Sequence, residues 1–246
     1  MAVQKGYPFY GQNVGVLVFN GQSPRVPGDP GHGATFPFPV CYEVVPGSFA
    51  DLLEGSAEIK EKLCRAVKNL ESRGIRAVIG DCGLMALYQQ ELASCSCLPV
   101  LTSSLVLVPL IWKLVGCRGA IGVITGHGDL LKENHLRSAG IDPEIELAIQ
   151  GMEGEPHFRE IVIEGGTNLD VELMRRDVLS AAAKLIQQNK EVRTILLECS
   201  NLATYSRTLQ DAHGLPVFDI TGAALMLEHA VHAPEYGAGI LPLNPE

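Results

Sequence analysis

The chain of 246 residues has no long apolar run: its longest, Leu105 to Val115, is broken by Pro109 and Lys113 and is too short to cross a bilayer. The first residues, Met1 to Pro8, lack the apolar stretch of a signal peptide. A cytoplasmic protein without a membrane partner is therefore expected. Basic residues are scarce. Nineteen Lys and Arg against 28 Asp and Glu leave a net charge of −9, which argues against a nucleic-acid backbone or an anionic membrane as the main partner. A small anion can still bind locally, at helix N-termini. Charged residues make up 19% and apolar residues 46%, so the chain can build a core and does not have the composition of a disordered one.

Seven cysteines are an odd number in a chain of this size, which speaks against a disulfide framework. Cys95-Ser96-Cys97 has no second pair at zinc spacing, and His229 and His232 have no partner ligands in view. Gly126-His127-Gly128 lacks the third glycine of a dinucleotide fingerprint and the lysine of a P-loop. No metal and no cofactor are expected.

What the chain does have is a repeat. Arg76-Ala77-Val78-Ile79-Gly80-Asp81-Cys82-Gly83-Leu84 returns as Arg193-Thr194-Ile195-Leu196-Leu197-Glu198-Cys199-Ser200-Asn201, 117 residues later. At the same offset Ala86 matches Ala203, Tyr88 matches Tyr205, and Leu98-Pro99-Val100 matches Leu215-Pro216-Val217. A gapless run of matches at one offset marks an internal duplication. Here it means two similar lobes, each presenting one cysteine.

Short apolar runs alternate with amphipathic stretches along the chain. Strands are expected at Val14–Phe19, Val40–Val45, 75–80, 99–101, 119–124, 192–197 and 216–220. Helices are expected at 57–73, 84–93, 105–115, 125–138, up to 188 behind a Thr167/Asp170 capping box, 202–212 and 221–231. Residues 144–165 read as short strands and turns, and the tail 233–246 as surface chain. Strands alternating with helices give βαβ units and parallel sheets. The fold class is α/β: two pseudo-symmetric lobes, each a parallel sheet flanked by helices, with the site in the cleft between them. The expected lobes are 1–115 plus 215–246, and 116–214. Residues 20–40, dense in proline and glycine and carrying Arg25, Asp29 and His32, form a long loop after the first strand. Such loops are either functional or plain surface excursions.

Each cysteine falls between a parallel strand and a helix, at the edge of the sheet where ligands bind. A helix N-terminus favours the thiolate and offers free N–H groups to an anion. A lone cysteine at a strand end is ordinarily a core thiol; two at one repeat offset point to catalysis. Facing thiols suit proton exchange at carbon next to a carboxylate, with preorganised donors holding the developing charge. Cys82 and Cys199 are the candidate acid–base pair. Asn20, Gly83, Thr102, Thr125, Gly126, His127, Ser200 and Asn201 are the candidate substrate contacts. Strand alternation turns Asp81 and Glu198 away from the cysteine side, giving them a structural role, and Tyr88 and Tyr205 fall in the core.

The doubled strand–Cys–helix unit, with Asp81-Cys82-Gly83, Glu198-Cys199-Ser200-Asn201, Pro99-Val100, Pro216-Val217 and Ile121-Gly122-Val123-Ile124-Thr125-Gly126, resembles the aspartate/glutamate racemase superfamily. The resemblance implies a cofactor-independent two-cysteine site between two lobes. Glutamate racemases follow their cysteines with Asn-Thr and Thr-His, where this chain has Gly83-Leu84 and Ser200-Asn201, which disfavours glutamate as substrate. The segment Gly28-Asp29-Pro30 through Phe36-Pro37-Phe38-Pro39-Val40 to Val45-Pro46-Gly47 is similar to the branch that includes algal dimethylsulfoniopropionate lyases. The leading expectation is an isomerase: a racemase or epimerase acting on a small carboxylate substrate, working as a homo-oligomer. The alternatives are a lyase that uses the same carbanion and a small-acid binding protein with inert cysteines.

Overall fold

The computed structural model describes residues 6–235; of the expected surface tail, the part from residue 236 on lies outside them. The strands β1 (Val14–Phe19), β2 (Val40–Val45), β3 (Ala77–Gly80) and β4 (Val100–Leu101) form one parallel sheet in the order β2-β1-β3-β4. A second parallel sheet holds β5 (Ala120–Thr125), β6 (Leu147–Gly151), β7 (Val192–Leu197) and β8 (Val217–Phe218) in the order β6-β5-β7-β8. The two orders are the same once the lobes are superposed, so the duplication extends to the sheets. β1 and β3, and β5 and β7, are the inner strands, and β5 is buried at every position, as expected of a parallel strand covered on both faces.

Helices flank both sheets: α1 (Phe49–Glu54), α2 (Ala57–Ser72), α3 (Gln89–Ser94), α4 (Val108–Leu114), α5 (Glu133–Ser138), α6 (Pro156–Phe158), α7 (Val171–Gln188), α8 (Ser206–His213) and α9 (Ile220–Val231). The same close approach seats the main helix of each lobe. A Cβ at Gly15 would lie 2.7 Å from Leu70 of α2, and one at Gly122 would lie 2.7 Å from Leu185 of α7. Glycine in the central strand lets each helix leucine press onto the backbone. The lobes also share a core. Alternate residues of the second sheet, Ile121, Val123 and Leu196, join the apolar cluster of the first lobe. Their neighbours Ala120, Ile124, Ile195 and Leu197 face Val178 and Leu185 of α7, as period-two alternation requires.

Several expected elements differ in detail. The helix after each cysteine starts as a tight 3-10 segment, Gly83–Tyr88 and Ser200–Tyr205, before α3 and α8 begin. The helix expected over 125–138 is broken into a turn at Gly128–Leu130 and α5. Residues 144–165 hold one strand, then α6 and a wide turn at Arg159–Ile163. Pro156 starts this helical stretch, and buried Asp177 accepts the Phe158 N–H at 2.8 Å, which replaces strand pairing. Asp170 caps α7 by itself, accepting from the Glu172 and Leu173 N–H groups. The chain also returns to the first lobe later than residue 215. β8 pairs with β7 in the second sheet, and only α9, through Ile220, Ala223, Ala224 and Leu227, packs into the first lobe's core. Asp219 ends the strand early because its carboxylate caps α9 at Gly222.

Hydrogen bonds close the seam between the lobes. Ser200 Oγ donates to the Asp81 carbonyl, and Ser104 Oγ donates to the Leu197 carbonyl at 2.7 Å. The backbones approach closely across the seam at Gly83, where any Cβ would overlap both the carbonyl and the carboxyl of Glu198. Gly83→Ala should therefore push the lobes apart. Overpacking of this kind costs about 1–3 kcal/mol, or roughly 2–4 °C of melting temperature per kcal/mol for a chain of this size. Thermal denaturation followed by circular dichroism checks this; an unchanged melting temperature would show that the seam is loose at Gly83.

Candidate active site

β3 ends at Gly80 and β7 at Leu197, so Cys82 and Cys199 leave their sheets at the same C-terminal edge. Both line one cavity of about 390 Å3. Of the sequence-predicted contacts, Asn20, Gly83, Thr125, Gly126, His127, Ser200 and Asn201 share that wall. Thr102 is not among the lining residues. It is fully buried, and its N–H and hydroxyl both donate to Gln89 Oε1, at 2.9 and 2.8 Å. It follows β4, one of the two edge strands of its sheet. Sequence reasoning missed Phe19, Ser23, Phe49, Phe158 and Val162 on the wall, because the apolar ones carry no chemical signature. Tyr88 and Tyr205 are core residues as read, 0% and 2% exposed.

Asp81 and Glu198 are also on the cavity wall, contrary to the alternation argument. Alternation stops where the strand stops, and each acid stands one residue beyond its last strand residue. Each side chain folds back over the sheet edge onto the neighbouring central strand. Asp81 Oδ1 accepts from the Phe19 N–H at 3.1 Å, and Glu198 Oε2 accepts from the Thr125 hydroxyl at 2.7 Å. The duplication is thus visible in the placement of the acids as well.

The long loop after β1 is part of the site. Arg25 bridges Asp29 and Asp81 at 2.6 Å each. Asp29, 2% exposed, accepts from Asn201 Nδ2 at 2.7 Å, and Asn201 Oδ1 stands 3.6 Å from Cys199 Sγ. One chain of polar contacts therefore runs from the Cys199 thiol through the loop to Asp81, the residue before Cys82. Thr204 and Thr221 hydroxyls donate to the Pro27 and Gly28 carbonyls at 3.1 and 2.9 Å and hold the loop against both lobes. His32 stays local, accepting from the Ala34 N–H.

Burial dominates the electrostatics. It raises the Cys82 thiol far above its usual range, helped by the charges of Glu198 and Asp81. Cys199 is raised by burial and then by Glu198 and Cys82. The expected lowering by helix N-termini is present but small. Leu84 and Met85 N–H groups favour the Cys82 thiolate, and the Asn201 N–H favours that of Cys199, yet these short turns lose to desolvation. Burial lifts Asp81 to about 6 against the opposing pull of Arg25. It lifts Glu198 to about 7, opposed by the Thr125 hydroxyl and Gly126 N–H. Among the described residues no cluster of His, Cys, Asp and Glu could hold a metal ion, and no helix is long and apolar enough to cross a membrane.

A carboxyl group whose folded pKa lies above its unfolded value stabilises the protein at low pH and loses that stability as pH rises. For Glu198 the window runs from 4.5 to about 7, and a shift of this size corresponds to about 3 kcal/mol. Glu198→Gln should therefore gain stability relative to wild type between pH 5 and pH 8. Melting temperatures at the two pH values measure this; a pH-independent difference would show that Glu198 titrates normally.

No protein-family model matches the chain. Dimethylsulfoniopropionate lyase 7 of Emiliania huxleyi is 30% identical to it over 237 residues, 92% of this chain and 69% of that protein. A dimethylsulfoniopropionate lyase of Durusdinium sp. clade D is 28% identical over 234 residues, 92% of this chain and 77% of that protein. The chain spans 61% of the length of Dimethylsulfoniopropionate lyase 6 of Emiliania huxleyi. In fold it is similar to unliganded arylmalonate decarboxylase, with a TM-score of 0.58 at 14% identity over 88% of this chain and 92% of that one. It is equally similar to Picrophilus torridus aspartate racemase, with a TM-score of 0.58 at 15% identity over 90% of this chain and 94% of that one. The chain belongs to the dimethylsulfoniopropionate lyase family, and its fold is similar to that of aspartate racemase and arylmalonate decarboxylase.

Proposed function

We propose that the chain is a lyase that cleaves dimethylsulfoniopropionate by β-elimination, with Cys82 and Cys199 as its acid–base groups. The observation that carries this reading is the pair of repeat-related thiols lining one cavity. A thiolate removes a proton from the carbon next to the carboxylate. The electron pair forms the Cα–Cβ double bond, the Cβ–S bond breaks, and neutral dimethyl sulfide leaves acrylate behind. The leaving group departs as a neutral thioether, so expulsion needs no further proton, and the second thiol serves as a hydrogen-bond donor to the carboxylate where charge builds up.

The developing enediolate needs donors that are not already spent. The Ser200 hydroxyl is given to Asp81 and the Asn201 amide to Asp29, and the Thr125 hydroxyl goes to Glu198. His127 is the better carboxylate contact, since its buried Nδ1 has no hydrogen-bond partner. Asn20 and Ser23 stand on the same wall. The sequence alone ranked racemisation first. Similarity to named lyases over 92% of the chain now favours elimination. Racemisation keeps one specific support, the thiol in each lobe, which would serve the two faces of a substrate carbon.

Purified protein given dimethylsulfoniopropionate should release dimethyl sulfide, read by gas chromatography, and acrylate, read by proton NMR. Cys82→Ser and Cys199→Ser should each lower turnover by about 10² or more, the scale of a general acid–base group. No thioether release, together with deuterium uptake and loss of optical activity for an amino acid in D₂O, would replace the lyase by the racemase. Near wild-type turnover in both single variants would remove the two-cysteine mechanism.

A further inference from the structure

Burial that raises the thiols leaves a problem: a general base must first lose its own proton. The backbone N–H groups around each thiol do not offset the cost of putting a thiolate there. A group on the cavity wall is the natural acceptor of that proton, because ionising a thiol beside an existing carboxylate would place two negative charges side by side on a buried wall.

Two carboxyl groups share the wall, and they differ in one respect. Both oxygens of Asp81 are engaged, one by the Phe19 N–H and the other by Arg25. Glu198 has Oε2 engaged by Thr125 at 2.7 Å, and the Gly126 N–H also favours its ionised form. Its Oε1 is buried and has no hydrogen-bond partner. This carboxyl lies against Gly83, the residue after Cys82, and precedes Cys199 in the chain. Its charge is the largest single electrostatic influence on either thiol. An unpaired buried oxygen costs free energy in the folded state, so its retention at the meeting point of two reactive groups calls for a use.

We propose that Glu198 is the proton partner of the catalytic thiol, its free Oε1 taking the S–H proton as the thiolate forms. The S–H bond breaks, an O–H bond forms, and the net charge of the cavity is unchanged. The thiolate then takes the substrate proton and becomes a thiol again. Glu198 is left protonated and releases one proton to water after the products leave, which balances the proton lost by the substrate. Glu198 acts through the cysteine and is a positioning residue. The proposal rests on the two-cysteine reading above. The other titratable or charged groups on the wall are Arg25, Asp81, Cys82, His127 and Cys199.

The test is the pH dependence of thiol alkylation by iodoacetamide, followed peptide by peptide in wild type and Glu198→Gln, with turnover measured alongside. In wild type the alkylation rate should climb to about pH 7, where Glu198 loses its proton, and then level off. Thiolate with neutral carboxyl has the same proton count as thiol with carboxylate, so their ratio is independent of pH beyond that point. In Glu198→Gln the plateau should vanish and the rate should rise about tenfold per pH unit from 7 to 9. Turnover at pH 7.5 should fall by about 10² or more. Thr125→Val removes a donor that lowers the Glu198 pKa, so its plateau should begin at higher pH; this variant reads the same group should the glutamine variant fail to fold. Superimposable alkylation profiles in wild type and Glu198→Gln, or an unmoved plateau in Thr125→Val, would overturn the role of Glu198. If Cys82→Ser and Cys199→Ser turn over substrate normally, the two-cysteine reading fails instead, whatever the profiles show.

Discussion

Two thiols and two carboxylic acids share a cavity wall built by both lobes, and burial raises the pKa of all four. The rest of the structure is arranged around that constraint. Burial strengthens electrostatic interactions along this wall, which is what the proposed carbanion next to a carboxylate would require. The same burial opposes any accumulation of negative charge. Arg25 from the first-strand loop neutralises one side of the cavity by bridging Asp29 and Asp81. The other side keeps Glu198, with one oxygen held and one free.

The frame that holds this cavity does not depend on the site residues alone. Ile121, Val123 and Leu196 of the second sheet pack in the first lobe's apolar cluster, and α9 crosses back from the second sheet to the first lobe. A shared core resists hinge motion, because packed interiors have little slack. The loop over 20–40 is tied to Asn201, Thr204 and Thr221, so it is a wall of the site. Positioning to within a few tenths of an ångström is what acid–base catalysis asks of its supporting shell.

Much of this was legible in the sequence, and for physical reasons. A parallel strand covered on both faces must be nearly all apolar, so Val14–Phe19 and Ala120–Thr125 announced themselves. A duplicated chain repeats its register, which makes Cys82 and Cys199 a pair in the sequence itself. Thr102 failed because the strand it follows lies at the sheet edge, and strand order cannot be read from one sequence. Asp81 and Glu198 failed because the period-two rule was carried one residue past the strand ends. Residues 156–163 failed because their backbone conformation is decided by distant Asp177. The lowered thiol pKa failed because burial depends on both lobes at once, and local helix geometry says nothing about it.

The proposed account places a small carboxylate substrate between the two thiols that line one cavity. The account stands on both thiols facing that substrate together. The most direct measurement is peptide-resolved alkylation of the intact protein with and without saturating dimethylsulfoniopropionate, using exposed Cys97 and Cys117 as internal references. The account predicts that substrate slows alkylation of Cys82 and Cys199 alike and leaves Cys97 and Cys117 unchanged. Protection of only one of the pair, or of neither, would contradict it.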